Sequence, residues 1–142
     1  MLPPPFWRDM KHLLRFLAGG AVYFIIEIVW RYFMDHGTAS PLMILMGGTV
    51  FAVVMLLEDK KLHILLASFI GAVTAVSLEL LIGSILLFGF QTRYWHYGRI
   101  NFKGIIALDW SFIWWGLCFA LILLRRLLER YLARRREKKR EE

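Results

Sequence analysis

Four apolar stretches divide this chain of 142 residues, at about 13–33, 41–57, 62–90 and 104–124. Their lengths decide the fold class. An α-helix rises 1.5 Å per residue, so ~20 residues cross ~30 Å of hydrocarbon. Three of the stretches reach that length, and the second, with 17 residues, is still within range. A backbone in lipid must satisfy its own polar groups, which leaves helices or a closed barrel. No stretch alternates polar and apolar residues as a barrel strand does. The expectation is therefore an all-α integral membrane bundle of four helices. The third stretch is long enough to tilt or to end in an interfacial segment. Hydrophobic residues make up 58% of the chain, against about 45–50% in a soluble domain. That excess, with a mean hydropathy of +0.54, excludes both a soluble globule and a disordered chain.

The connections set the orientation. Residues 1–12 carry Pro3, Pro4 and Pro5 and then basic residues. The apolar run from Leu13 is too long for a signal peptide and meets Glu27 and Arg31, so an uncleaved N-terminus is expected. Ser40 and Pro41 form a good start for the second helix, and Glu58–Lys61 makes a tight turn after it. The 91–103 loop mixes Tyr94, Trp95, Tyr97 and Phe102 with Arg93, His96, Arg99 and Lys103. Aromatic and cationic residues together belong at the headgroup level. With the N-terminus inside, Arg8, Lys11, Arg15, Lys60, Lys61 and nine tail residues place 14 Lys/Arg in the cytoplasm. Four remain outside: Arg31, Arg93, Arg99 and Lys103. The bias points to both termini in the cytoplasm of a cell membrane, the inner one in a bacterium. The division is then a cytoplasmic segment 1–12, a membrane domain 13–124 and a basic tail 125–142.

Half of the 18 Lys/Arg lie between Arg125 and Arg140, directly after an apolar run. That placement argues against nucleic acid as a partner. Arg125, Arg126, Arg134, Arg135 and Arg136 are expected to meet anionic lipid headgroups, each adding ~1 kcal/mol near the surface, or to anchor the topology.

Three carboxylates stand inside the apolar runs: Glu27, Glu79 and Asp109. Counted at 1.5 Å per residue, all three fall roughly 8–15 Å below the outer surface. A charge at the bilayer centre costs ~2.5–3.5 kcal/mol. The acids are expected to face one another, a polar cavity or a cation. Glu27 precedes Arg31 by four residues, the favourable order for an ion pair within a helix. Asp109 is close enough to the surface for partial hydration. Glu79 has no cation within one turn on its own helix, so its partner comes from another helix, the 91–103 loop, a ligand or a proton.

Ala67, Gly71, Ala75, Glu79 and Gly83 step by four. Small residues at that spacing let another helix approach closely. The row drifts ~40° per step, which suits a crossing helix, and Gly47-Gly48 offers a mating surface. Gly19 and Gly71, like Glu27 and Glu79, are 52 residues apart, a weak sign of two parallel helical hairpins. Trp110, Trp114 and Trp115 read as packing or belt residues.

Cys118 is the single cysteine, so no intrachain disulfide forms, and no Cys/His cluster has zinc spacing. There is no His-Glu-x-x-His, no Ser/His or Cys/His pair, and no Gly-x-x-x-x-Gly-Lys phosphate loop. The expectation is a protein without enzymatic activity, cofactor or metal.

Several short runs carry a resemblance: Gly19 to Glu27, Leu-Glu-Leu-Leu-x-Gly at Leu78–Gly83, Tyr-Trp-His-Tyr at Tyr94–Tyr97, Ile-Asn-Phe-Lys-Gly at Ile100–Gly104, and Trp115-Gly116. Over most of residues 13–120 the chain resembles the small membrane proteins grouped as ABC-transporter type IV permeases (CmpB-like). The resemblance maps that family's motif positions onto Glu79 and Gly83, onto Trp95, His96, Tyr97 and Gly98, onto Asn101, Phe102 and Gly104, and onto Trp115 with Gly116. It departs where His96 replaces the family's Asp, Gly98 its Ser and Ile82 its Thr.

Two functions follow as expectations. One is a permease-like or solute-binding protein whose outward-facing pocket is lined by Glu79, Glu27, Asp109, Arg31, Trp95, His96, Tyr97 and Asn101, working as a homo-oligomer or with a membrane partner on an unidentified small molecule or ion. The other is a non-transporting assembly, sensor or scaffold protein that packs through Ala67, Gly71, Ala75 and Gly83. A small multidrug exporter also has four helices and an early Glu, but the strong charge bias argues against it.

Overall fold

Apolar runs of membrane-spanning length do form the framework. A computed structural model describes residues 5–34, 39–98 and 100–141. The 35–38 connection and Arg99, read above as part of the outer loops, lie outside the described residues. Helix α1 is Pro5–Met34, α2 Leu42–Asp59, α3 Ile64–Ser84 and α4 Leu108–Glu141. A π-helical turn, Ile85–Gly89, continues α3, and two short strands follow, β1 Asn101–Phe102 and β2 Ile106–Ala107. All four helices contain a segment long and apolar enough to cross a membrane.

Three boundaries differ from the sequence expectation, the first because α1 already begins at Pro5 rather than Leu13. The third run does not stay α-helical to residue 90. The π-turn widens it, and Gln91 at φ 51° ends it. The fourth helix starts at Leu108 rather than 104, because residues 104–107 belong to an antiparallel hairpin that pairs Asn101 with Ala107 and Phe102 with Ile106. Lys103 and Gly104, at φ 51° and 72°, make the reversal. An all-α bundle therefore carries one small β element. Between α2 and α3 the turn is tight: Lys61 N donates to Glu58 O at 2.9 Å, and His63 Nδ1 accepts from Leu65 N at 3.4 Å, capping α3.

Glycines join α1 to α2. Side chains added at Gly19 and Gly47 would run into Phe51 and Tyr23, and at Gly20 and Gly48 into the carbonyls of Ile44 and Phe16. The expectation that Gly47-Gly48 mates with the small-residue row of the third helix is corrected here: the pair faces α1. That row is buried at Ala67, Gly71, Ala75 and Gly83, with Gly71 against Val54 and Cys118 and Gly83 against Ile105 and Trp95. It thus meets α2, α4 and the hairpin. The core lies between α2, α3 and α4, around Val50, Val54, Ala75, Trp114, Cys118 and Ile122. The outer face of α1 exposes Leu13, Leu17, Ile25 and Val29, as a lipid-facing helix should.

Charge closes one end of the bundle. Asp59 accepts from Arg15 at 2.6 and 3.0 Å, from Arg125 at 3.0 Å and from Lys11 at 3.3 Å. Glu58 accepts two bonds from Arg126, at 2.9 and 2.7 Å, the bidentate fork that favours arginine. The last turn of α2 therefore ties down both the start of α1 and the middle of α4. Arg125 and Arg126 are engaged in this clamp, and Arg125 also pairs with Glu129 at 2.8 Å. Arg134, Arg135 and Arg136 sit farther along α4 and are exposed. The tail arginines thus divide into a clamp and an open basic stretch.

Candidate functional site

At the opposite end Glu79 projects from α3 and is only 4% exposed. Its Oε1 accepts from the Tyr97 hydroxyl at 2.8 Å and from Trp114 Nε1 at 2.9 Å. The partners come from the 91–103 loop and from another helix, two of the four sources the sequence left open. Burial, and then the carboxylate of Glu79, push the Tyr97 phenol above its ordinary value. It remains an O–H donor.

The loop is a folded cap. Trp95 Nε1 donates to Ile105 O at 2.9 Å, and Tyr97 N to Gly104 O at 3.0 Å. Asn101 Oδ1 accepts from Gly104 N at 2.6 Å, and His96 Nδ1 lies 2.8 Å from Arg93 Nη1. Arg31 Nη2 reaches Tyr94 O at 3.4 Å, so α1 is tied to the cap. Gly104 is required twice, by its positive φ and by the His96 ring standing where a side chain would go. Gly104→Ala is expected to cost about 1–3 kcal/mol through strain and crowding. An unchanged thermal midpoint in detergent, followed by tryptophan emission, would contradict that account.

Beneath the cap lies a cavity of about 290 Å³ lined on its polar side by Glu27, Arg31, Glu79 and His96. Glu27 and Arg31 are paired at 2.6 Å. Tyr23, Trp30, Trp95, Tyr97 and Trp110 supply rings. Trp110 leans on Tyr97 with centroids 5.6 Å apart and meets Trp30 edge-on at 5.4 Å. Among the described residues no group of three or more His, Cys, Asp or Glu is placed to hold a metal ion.

Six of the eight pocket residues expected from the sequence come together: Glu27, Arg31, Glu79, Trp95, His96 and Tyr97. Two do not. Asp109 is exposed in the first turn of α4, where its Oδ1 accepts from Trp110 N at 3.0 Å. Asn101 is exposed and holds the hairpin turn. Sequence reasoning missed Tyr23, Trp30 and Trp110 as lining residues and Trp114 as a donor to Glu79. For two of these a signal existed: Tyr23, Glu27, Trp30 and Arg31 fall at i, i+4, i+7 and i+8, one face of a helix.

Four helices of membrane-crossing length, capped at one end by an aromatic hairpin over a half-polar cavity, define a small multi-helix membrane protein. The matched model covers residues 14–140, from the first helix into the tail, and the chain belongs to the family described as Putative ABC-transporter type IV. No curated protein and no solved structure matches it.

Proposed function

We propose that the protein is a permease-like, solute-binding membrane protein that holds a small molecule or ion in the cavity under the hairpin cap. One observation carries this reading: charged and polar groups from three separate segments, Glu27 and Arg31, Glu79, and His96, converge on one cavity. Intramembrane charges are costly enough that such convergence marks a functional site by default. Its size is near the lower end of ordinary ligand pockets, ~300 Å³ and upward. The aromatic walls supply contact area, and the Glu27–Arg31 pair and Glu79 supply orientation. The charge bias of 14 against four Lys/Arg supports a cytoplasmic clamp end and an outward-facing cavity. Its part is to bind the solute, as a homo-oligomer or with a membrane partner. It performs no catalysis in this reading.

Native mass spectrometry from mild detergent, wild type beside Glu79→Gln, is the test. The expected result is a bound small molecule or ion in the wild type that is lost in the variant. A protein that carries no small molecule or ion, whether as an oligomer or with a stoichiometric partner, and that is unchanged by the substitution would overturn the reading in favour of an assembly or scaffold protein.

A further inference from the structure

The bundle is not closed all the way round. Among the described residues α1 packs on α2, and α4 packs on α3 and also touches α2, while α1 and α4 approach each other little along their backbones. They are bridged instead by side chains, Tyr23 to Trp114 and Trp30 to Trp110. Along this seam lies an apolar crevice of about 110 Å³, walled by Val22 and Ile26 of α1 and by Leu117 and Leu121 of α4. Tyr23 lines both this crevice and the polar cavity, so the two adjoin. Phe51 of α2 lines both the crevice and a groove at the clamp end, which also carries Lys11, Arg15 and Arg125. The seam is therefore polar at one end and apolar in the middle, and at the other it opens beside the cations that Asp59 holds.

We infer that the α1–α4 seam is the binding groove of an alkyl-chain amphiphile with an ammonium head, the head in the polar cavity and the chain along the crevice toward Phe51. The inference rests on the cavity reading above and names its ligand class. Two features select this occupant. At about 110 Å³ the crevice cannot take in a helix of a second copy, about 10–12 Å across, whereas a single alkyl chain is far slimmer. The polar end, among the described lining residues, sets two carboxylates, Glu27 and Glu79, against one guanidinium, Arg31, beside the rings of Trp30, Tyr97 and Trp110. Carboxylates beside aromatic faces recognise an ammonium group.

The test offers the protein in non-ionic detergent an equal mixture of lysophosphatidylethanolamine and lysophosphatidylglycerol, which carry one chain each, and counts retained lipid by native mass spectrometry. Glycerophosphoethanolamine, the same head without chains, is offered separately. Val22 and Leu117 are 55% and 40% exposed in the seam, so Val22→Trp and Leu117→Trp fill it from opposite walls without entering the core. Helical circular dichroism and a single size-exclusion peak confirm their folding. The wild type is expected to retain the ethanolamine lipid about fivefold over the glycerol lipid and more strongly than the chainless head. Either seam variant should lose that advantage. Equal retention of the two lipids would overturn the ammonium head. Chainless head binding as strong as the lipid's, or seam variants that keep the lipid while Glu79→Gln loses it, would overturn the seam and leave the cavity reading standing. Full retention in Glu79→Gln would bring down the cavity reading itself. A dimer that the seam variants dissociate, with no change in lipid, would give the seam to a second copy.

Discussion

Glu79→Ala is expected to lower the stability of the protein by about 1–3 kcal/mol, since a buried donor left unsatisfied costs ~1–3 kcal/mol. The substitution strands Trp114 Nε1 and the Tyr97 hydroxyl, both of which use the one oxygen Oε1. Tyr97 also lines the cavity and can turn toward water there, so the larger share of the loss falls on the Trp114 indole. Thermal unfolding in detergent reads the total, and tryptophan emission reports the altered site. Glu79→Gln keeps an acceptor oxygen and should lose much less, which separates the structural use of the side chain from its charge. An Ala variant with the wild-type midpoint would show that this carboxylate does not hold the cap to α4.

The second large effect belongs to the α1–α2 contact. A side chain at Gly48 would stand 2.6 Å from the Phe16 carbonyl oxygen, and backbone cannot move aside as a flexible side chain does. Gly48→Leu is expected to cost about 3 kcal/mol, the upper part of the usual overpacking range, and to loosen α1 before the other helices. Hydrogen exchange read helix by helix should show faster exchange in α1 while α3 and α4 keep their protection. Gly116→Leu is the control, because nothing lies within 4 Å of the position its Cβ would take. Equal losses at both positions would mean that side-chain volume in general, rather than this close approach, is what the fold resists.

The helices were legible because length in lipid is a hard constraint and each apolar run meets it. Glu79 was legible for a related reason: an intramembrane acid without a cation on its own helix must find a partner elsewhere, and it does. The partner Trp114 was not legible, since no spacing in the chain connects residues 35 apart across two helices. Asp109 was misplaced by a boundary. A helix starting at 104 would sink it a turn into the membrane, whereas the hairpin consumes residues 104–107 and leaves it exposed at the helix start. Gly47-Gly48 was assigned to the wrong neighbour because a small-residue face does not say which helix it receives. Here the helix immediately before it in the chain takes that place. The lining role of Trp30 was readable from the face it shares with Glu27 and Arg31, had aromatic residues been counted with the charged ones.

The length of α4 gives the molecule a mechanical property. Its 34 residues make a rod of about 51 Å at 1.5 Å per residue, well beyond the ~30 Å of a hydrocarbon core. Trp114, in contact with Glu79, sits near one end of that rod, and Arg125 and Arg126, gripped by Asp59 and Glu58, form a bearing partway down. Some 40 Å of helix separates Trp114 from Glu141. A tilt of about 5° about that bearing would carry the far tip, about 22 Å beyond Arg126, through about 2 Å. A shift of Trp114 at its contact with Glu79 would thus be carried along the same helix to the exposed arginines at its other end.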